Sequence, residues 1–159
     1  TTLGRELARI LKYRHMDIER YAFGESETPY ANQRPREECV ALMLADIKKH
    51  RAFVISAVTG DFGDTIPLFY ELAVWVFAPA DIRIERIERR AWEQHGERVR
   101  EGGDLYEQNR KFMNFAASRS LSGIERWAKT LSCPVIRIDG TADWRESAAD
   151  IAKQLGGKN

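Results

Sequence analysis

Five short stretches carry residue types that could do chemistry. "HMDIERY" sets two carboxylates, Asp17 and Glu19, one residue apart. One of them near an attacking hydroxyl would accept its proton; otherwise they are two solvated acids. The opening "TTLGRELARIL" puts Thr1 and Thr2 at the start of a helix. A helix N-terminus offers N–H groups and a positive dipole end to phosphate, and a hydroxyl there can ligate Mg²⁺. The plainer alternative is that the two threonines only cap the helix. "TGDFG" holds Gly60, Asp61 and Gly63, which suit close backbone approach to a ligand, a hydroxyl contact from Asp61, or an ordinary turn. "ADIRIERIERR" aligns Arg83, Arg86 and Arg90 at spacings of three and four. With Glu85 and Glu88 interleaved, much of this face fits a solvated, ion-paired surface. "RIDGT" offers Gly140 and Thr141 in a turn that either meets a ligand or leads into a helix, with Thr141 or Asp143 as its cap.

These residues need a frame. Leu3, Leu7, Ile10 and Leu11 recur at helical spacing, so the chain opens inside an amphipathic helix. Short apolar runs around 15–18, 53–57, 73–78 and 134–138 read as strands buried on both faces. Between them lie helical patterns. "PREECVALMLADIKKH" has Pro35 at a first helical position and Glu37 and Glu38 in the first turn, with Val40, Leu42, Met43, Leu44 and Ile47 as the buried stripe. "ADIRIERIERRAWEQH", "LYEQNRKFMNFAASR", "SGIERWAKTL" and "ADWRESAADIAKQL" follow. Strands alternating with helices predict an α/β chain with a parallel sheet, whose ligands bind at the carboxyl ends of the strands. Asp17, Glu19, Thr59 to Asp64 and Asp139 to Thr141 fall at those ends. A doubly wound sheet also needs a strand before its first helix. We therefore expect a strand and a short loop ahead of Thr1 in the natural protein, since a neighbouring strand would otherwise show an unpaired edge.

The ordered pieces "TTLGRELA", "HMDIERY", "NQRPREE", "FVISAVTGDFG", "WVFAPADIRIERIERR", "GGDLYEQNRKFMNFAAS" and "CPVIRIDGT" resemble the P-loop kinase-like family, the adenylate- and shikimate-kinase-like branch often described as AAA-family ATPases. The resemblance runs over nearly the whole chain. It implies a three-layer P-loop NTPase fold, with a parallel sheet of adenylate-kinase type flanked by helices and a small lid at about 91–120, all in one domain over 1–159. The first strand of such a sheet lies centrally. The resemblance also implies ATP and Mg²⁺ as cofactors and transfer of the γ-phosphoryl group to a small hydroxylated or nucleotide acceptor. Thr1 would be the Ser/Thr of the motif G-x-x-x-x-G-K-[ST] and, with Asp17, would meet the metal. Thr1, Thr2, Arg98, Arg110, Gly140 and Thr141 would bind the nucleotide, the turn at 140–141 packing against the adenine. Glu19, Arg34, Gly60 and Asp61 would hold the acceptor, Arg34 gripping an anionic group. Asp17, Arg86 and Arg90 would be catalytic, and Arg98, Arg100 and the Gly102-Gly103 pair would belong to a moving lid. The P-loop glycines and lysine are not in this sequence, and "SRSLSG" joins segments between which relatives carry a longer stretch. Two other readings stand beside the kinase: a nucleotide-binding or ATPase module without efficient kinase activity, and a non-catalytic scaffold.

Bulk properties narrow the partners. At 159 residues, 43% hydrophobic and 31% charged, the chain has the make-up of a globular protein with a real core. Its formal net charge of +1 gives no overall pull toward nucleic acid or an anionic membrane, and we expect neither as a partner. No apolar run is long enough to span a bilayer. We expect a cytoplasmic monomer or homodimer. Cys39 and Cys133 lack metal-ligand spacing and read as reduced core thiols. The three histidines form no zinc pattern. The four tryptophans read as core or core-edge packing.

Overall fold

The structure is a computed structural model that describes residues 1–27 and 30–156. The chain is α/β. In order it forms α1 (Thr2–Leu11), β1 (Arg14–Asp17), α2 (Ile18–Ala22), α3 (Arg36–His50), β2 (Phe53–Ser56), a 3₁₀ turn (Ile66–Phe69), β3 (Ala73–Phe77), α4 (Ala80–His95), a 3₁₀ turn (Gly96–Val99), α5 (Tyr106–Ser118), α6 (Ser122–Ala128), β4 (Val135–Asp139) and α7 (Trp144–Gly156). All four strands fall within a residue of their expected places. The short α2 was not expected; Asp17 starts it by accepting the Glu19 N–H at 3.4 Å. Pro35 stands at the N-cap of α3 rather than inside its first turn.

The strands make two separate pairs, β1 with β2 and β3 with β4, where the sequence suggested one sheet. Among the described residues no strand joins the pairs. β1 and β2 run parallel, with Arg14 opposite Phe53 and Asp17 opposite Ser56. In the second pair the Ala73 N–H donates to Pro134 O at 2.9 Å and the Gly140 N–H to Phe77 O at 2.6 Å, which also sets the strands parallel. The expected burial on both faces does not hold. Val76 and Val135 are exposed, because a two-stranded sheet has too few neighbours to cover both its faces.

By its contacts the chain divides into two compact units. The first comprises Thr1–Ala73, Leu131–Pro134 and the chain from Ala142 on. Its core joins Met16, Tyr21, Cys39, Met43, Ile47 and Ile66, with Phe53, Ile55 and Phe62 packed against it. Met43 and Ile47 lie on the expected stripe of α3, but Leu42 faces outward. α1 packs on α7 and on β1 and β2. Gly4 allows that approach: a Cβ there would overlap Ser56 Oγ. Asp143 caps α7, accepting N–H groups of Arg145 at 2.7 Å and Glu146 at 3.3 Å.

The second unit comprises Val74–Thr130 and Val135–Thr141. Here α4 buries no residue and α5 buries only Ala116. Of the four tryptophans expected in the core or at its edge, Trp75, Trp127 and Trp144 are half-buried, and Trp92 is not packed in but exposed. Arg100 lies over the Trp92 ring at 4.2 Å, Arg137 over Trp75 at 5.3 Å and, in the first unit, Arg145 over Trp144 at 4.0 Å. Of the two cysteines, Cys39 is buried and Cys133 half-buried, and both are free thiols.

Candidate functional site

In the first unit three elements converge at the carboxyl ends of β1 and β2. The parallel register places Asp17 beside Ser56 at those ends. The first turn of α1 reaches the same place, because Gly4 sits against Ser56. Thr1 and Thr2 therefore begin a helix whose N-terminus stands next to the strand end that carries Asp17. Thr1 is the N-cap, and its carbonyl accepts the Arg5 N–H at 2.9 Å.

His15 and Ser56 join this cluster and were missed in the sequence. His15 Nε2 and Ser56 Oγ lie 2.9 Å apart, and Ser56 is a buried polar residue. Burial pushes the imidazole below its ordinary range, against the pull of the Asp17 charge. The signal for His15 was present: two residues before Asp17 on a strand, it shares the face of that carboxylate. Ser56 had no signal, since only the pairing of β1 with β2 brings it there.

The acceptor-side candidates are held by local structure. Glu19 is exposed and accepts a hydrogen bond from Tyr30 Oη at 3.3 Å. Arg34 is engaged by its own surroundings. Its Nη1 donates to the carbonyls of Arg20 (3.2 Å), Tyr21 (3.0 Å) and Phe23 (2.6 Å), closing the end of α2. Its Nε lies 3.3 Å from Glu38. Asp61 Oδ1 accepts the Gly63 N–H and an Arg36 N–H, each at 3.3 Å, and Gly63 has φ +81°, so the loop turns back on itself. The Tyr70 hydroxyl closes the loop on Gly60 O at 3.3 Å. Burial, first, and then the charges of Cys133 and Asp61 push that phenol well above its usual range.

The second unit has its own polar turn after β4. Arg86 Nη1 donates to Gly140 O at 2.6 Å. Gly140 admits no side chain, because a Cβ would come within 2.9 Å of Phe77 O and of the Val76 side chain. Thr141 donates its N–H and its hydroxyl to Asp139 Oδ1, at 2.8 and 2.7 Å. Those bonds, with the Arg86 charge, hold the Asp139 carboxyl below its ordinary range. A shallow depression of about 370 Å³ is lined there by Phe77, Pro79, Arg137, Ile138, Asp139 and Thr141. Of the remaining arginines, Arg90 donates to Arg86 O at 3.2 Å, Arg98 makes a two-pronged pair with Asp104 at 3.0 and 2.6 Å, and Arg110 pairs with Glu107 at 2.9 Å.

No family model matches the chain. The chain is 29% identical over 163 residues to the uncharacterized protein YqaC of Bacillus subtilis (strain 168), a match that covers 98% of this chain and 90% of that protein. The match runs over nearly the whole of this chain.

The fit of a metal can be judged from the donor set. Among the described residues no three His, Cys, Asp or Glu side chains come together as a metal site. Mg²⁺ needs no such cage, being ordinarily held by one or two carboxylates together with phosphate oxygens and water. Asp17, half-buried at a strand end beside a helix N-terminus, suits that minimal role.

Proposed function

We propose that the chain is a P-loop-type phosphotransferase domain of the adenylate-kinase-like kind, moving the γ-phosphoryl group of ATP to a small hydroxylated or nucleotide acceptor. The observation that carries this reading is the meeting of the α1 N-terminus with Asp17 and Ser56 at the carboxyl ends of two parallel strands. The strand pairing supports it too. In a sheet of adenylate-kinase type with a central first strand, two strands lie on each side of it, and the division into β1–β2 and β3–β4 follows that plan. Mg²⁺, when bound, would neutralise charge on the β- and γ-phosphates. Asp17 would orient the acceptor hydroxyl and accept its proton, while the first turn of α1 holds phosphate on its N–H groups. Such an enzyme would work in the cytoplasm; no helix among the described residues is long and apolar enough to cross a membrane.

One observation favours a second reading. Arg34, the candidate for gripping an anionic acceptor, is committed to the carbonyls of α2. A nucleotide-binding or ATPase module without efficient kinase activity has no need of that grip.

Asp17→Asn tests the proposal. The amide still accepts the Glu19 N–H, so folding should be unchanged, and ATP binding, held on the first turn of α1, should remain largely intact. Acceptor-stimulated ADP formation by the intact natural polypeptide should fall by about 100-fold or more, as for a lost general base. Hydrolysis that no acceptor stimulates would establish the second reading. Unchanged stimulated turnover in the variant would end the role of Asp17.

A further inference from the structure

The net charge of +1 conceals a segregation of charge within the first unit. Two short runs carry cations, Lys12-Tyr13-Arg14 after α1 and Lys48-Lys49-His50-Arg51 at the end of α3. They are far apart in sequence. The parallel pairing of β1 and β2 sets them side by side, for Arg14 is in register with Phe53 and its N–H donates to Ala52 O at 3.0 Å. Both turns thus lie at the amino ends of the strands, opposite the end that carries Asp17.

All seven residues of the two runs are exposed. One carboxylate serves them: Asp46 lies 3.0 Å from Arg14 Nε and 3.2 Å from His50 Nε2. Lys12, Lys48, Lys49 and Arg51 make no ion pair among the described residues. Cations at helix C-termini do complement the helix dipole, and one or two per helix would suffice for that.

The backbone adds an independent observation. Lys12 and Arg51, the residues that close α1 and α3, both have φ +57°. At Arg51 the Ala52 N–H donates to His50 O at 2.6 Å, a γ-turn of the strained, positive-φ kind. Glycine would relieve the strain at both positions, and the sequence holds a cation at each. Tyr13, next to Lys12 in the chain, is 42% exposed.

We infer that this face binds single-stranded nucleic acid, the cations of the two turns meeting backbone phosphates and Tyr13 stacking on a base. An aromatic platform within a cationic track is the chemistry by which single strands are held without sequence preference. A membrane surface would ask for an apolar face to insert, and the two runs offer one ring among six basic side chains. An acidic peptide would leave the exposed ring unused. This face is independent of the proposed phosphotransferase site, because it lies at the opposite end of the strands.

The test is fluorescence anisotropy of a labelled single-stranded RNA oligonucleotide with the full chain, over a range of salt and in saturating Mg·ATP. Binding should appear at low salt, survive Mg·ATP, and weaken with a linear dependence of log affinity on log salt. Lys48→Glu/Lys49→Glu should weaken it at least about tenfold and flatten the salt slope by roughly 0.7 for each phosphate that is no longer neutralised. Tyr13→Ala should weaken it with the slope unchanged, since stacking releases no counterions. Lys12→Gln provides a milder change if the double variant melts earlier than the parent in circular dichroism. Absence of binding at low salt, displacement by Mg·ATP, or indifference to these substitutions would overturn the inference. So would tighter binding to phosphatidylserine vesicles or to a poly-glutamate peptide.

Discussion

Asp46 ties three parts of the first unit together. It accepts the Tyr21 hydroxyl, the Arg14 guanidinium at 3.0 Å and, when charged, the His50 imidazole at 3.2 Å. Burial alone would raise its pKa; the hydrogen bonds from Tyr21 and Arg14, and the charges of Arg14 and His50, hold it below the ordinary 3.8. Its contribution to stability is therefore complete above that value and is lost as the pH falls through the depressed one. Tyr21 moves the other way. Burial, and then the hydrogen bond to Asp46, push its pKa from 10.0 to about 12. The stability that the protonated phenol supplies is complete below 10 and is lost as the pH rises through about 12. Tyr21→Phe should cost about 2 kcal/mol near neutral pH, as for a hydrogen bond to a charged partner. It should also remove this step from the alkaline limb. Urea titrations at a series of pH values would read both effects, and an unchanged alkaline limb would show that another group governs it.

At the scale of elements, the five-residue α2 is too short to stand by itself. Asp17 begins it and Arg34 ends it, the latter through three carbonyls. Arg34→Ala should destabilise the protein by about 1–2 kcal/mol in urea unfolding, in the range of lost helix caps and charged hydrogen bonds. Arg34→Lys should not restore the loss, because an ammonium lacks the planar fork that reaches several acceptors. The ion pair with Glu38 adds little to this, since the Glu38 side chain is 55% exposed. Full recovery by lysine would mean that charge alone matters at this position.

At the scale of the whole molecule, burial is uneven. The cluster of Met16, Tyr21, Cys39, Met43, Ile47 and Ile66 belongs to the first unit. In the second unit α4 buries nothing, and Phe112 and Phe115 on α5 are 52% and 58% exposed. Opening free energy follows buried apolar contact, so amide hydrogen exchange should be slowest in α3, β1 and β2 and fastest in α4 and α5. Equal protection of α3 and α4 would show one cooperative structure instead.

Apolar patterning placed the strands and most helices, because a stripe at period 3.6 marks a helix, and shortness with β-branched residues marks an apolar run as a strand. It therefore also set Asp17, Thr59 to Asp64 and Asp139 to Thr141 at strand ends. It did not reveal α2, whose stop signal is an arginine well beyond its last turn acting on carbonyls. It misjudged Trp92, which is exposed beneath Arg100, because an aromatic ring packs as well beneath an arginine as within a core. Tertiary structure alone brought Ser56 to His15, sealed Gly4 against Ser56, committed Arg34 to α2, and gathered the cations of two distant turns on one face. Each of these depends on which strand pairs with which and in what register, and pairing joins residues whose distance along the chain carries no local signal.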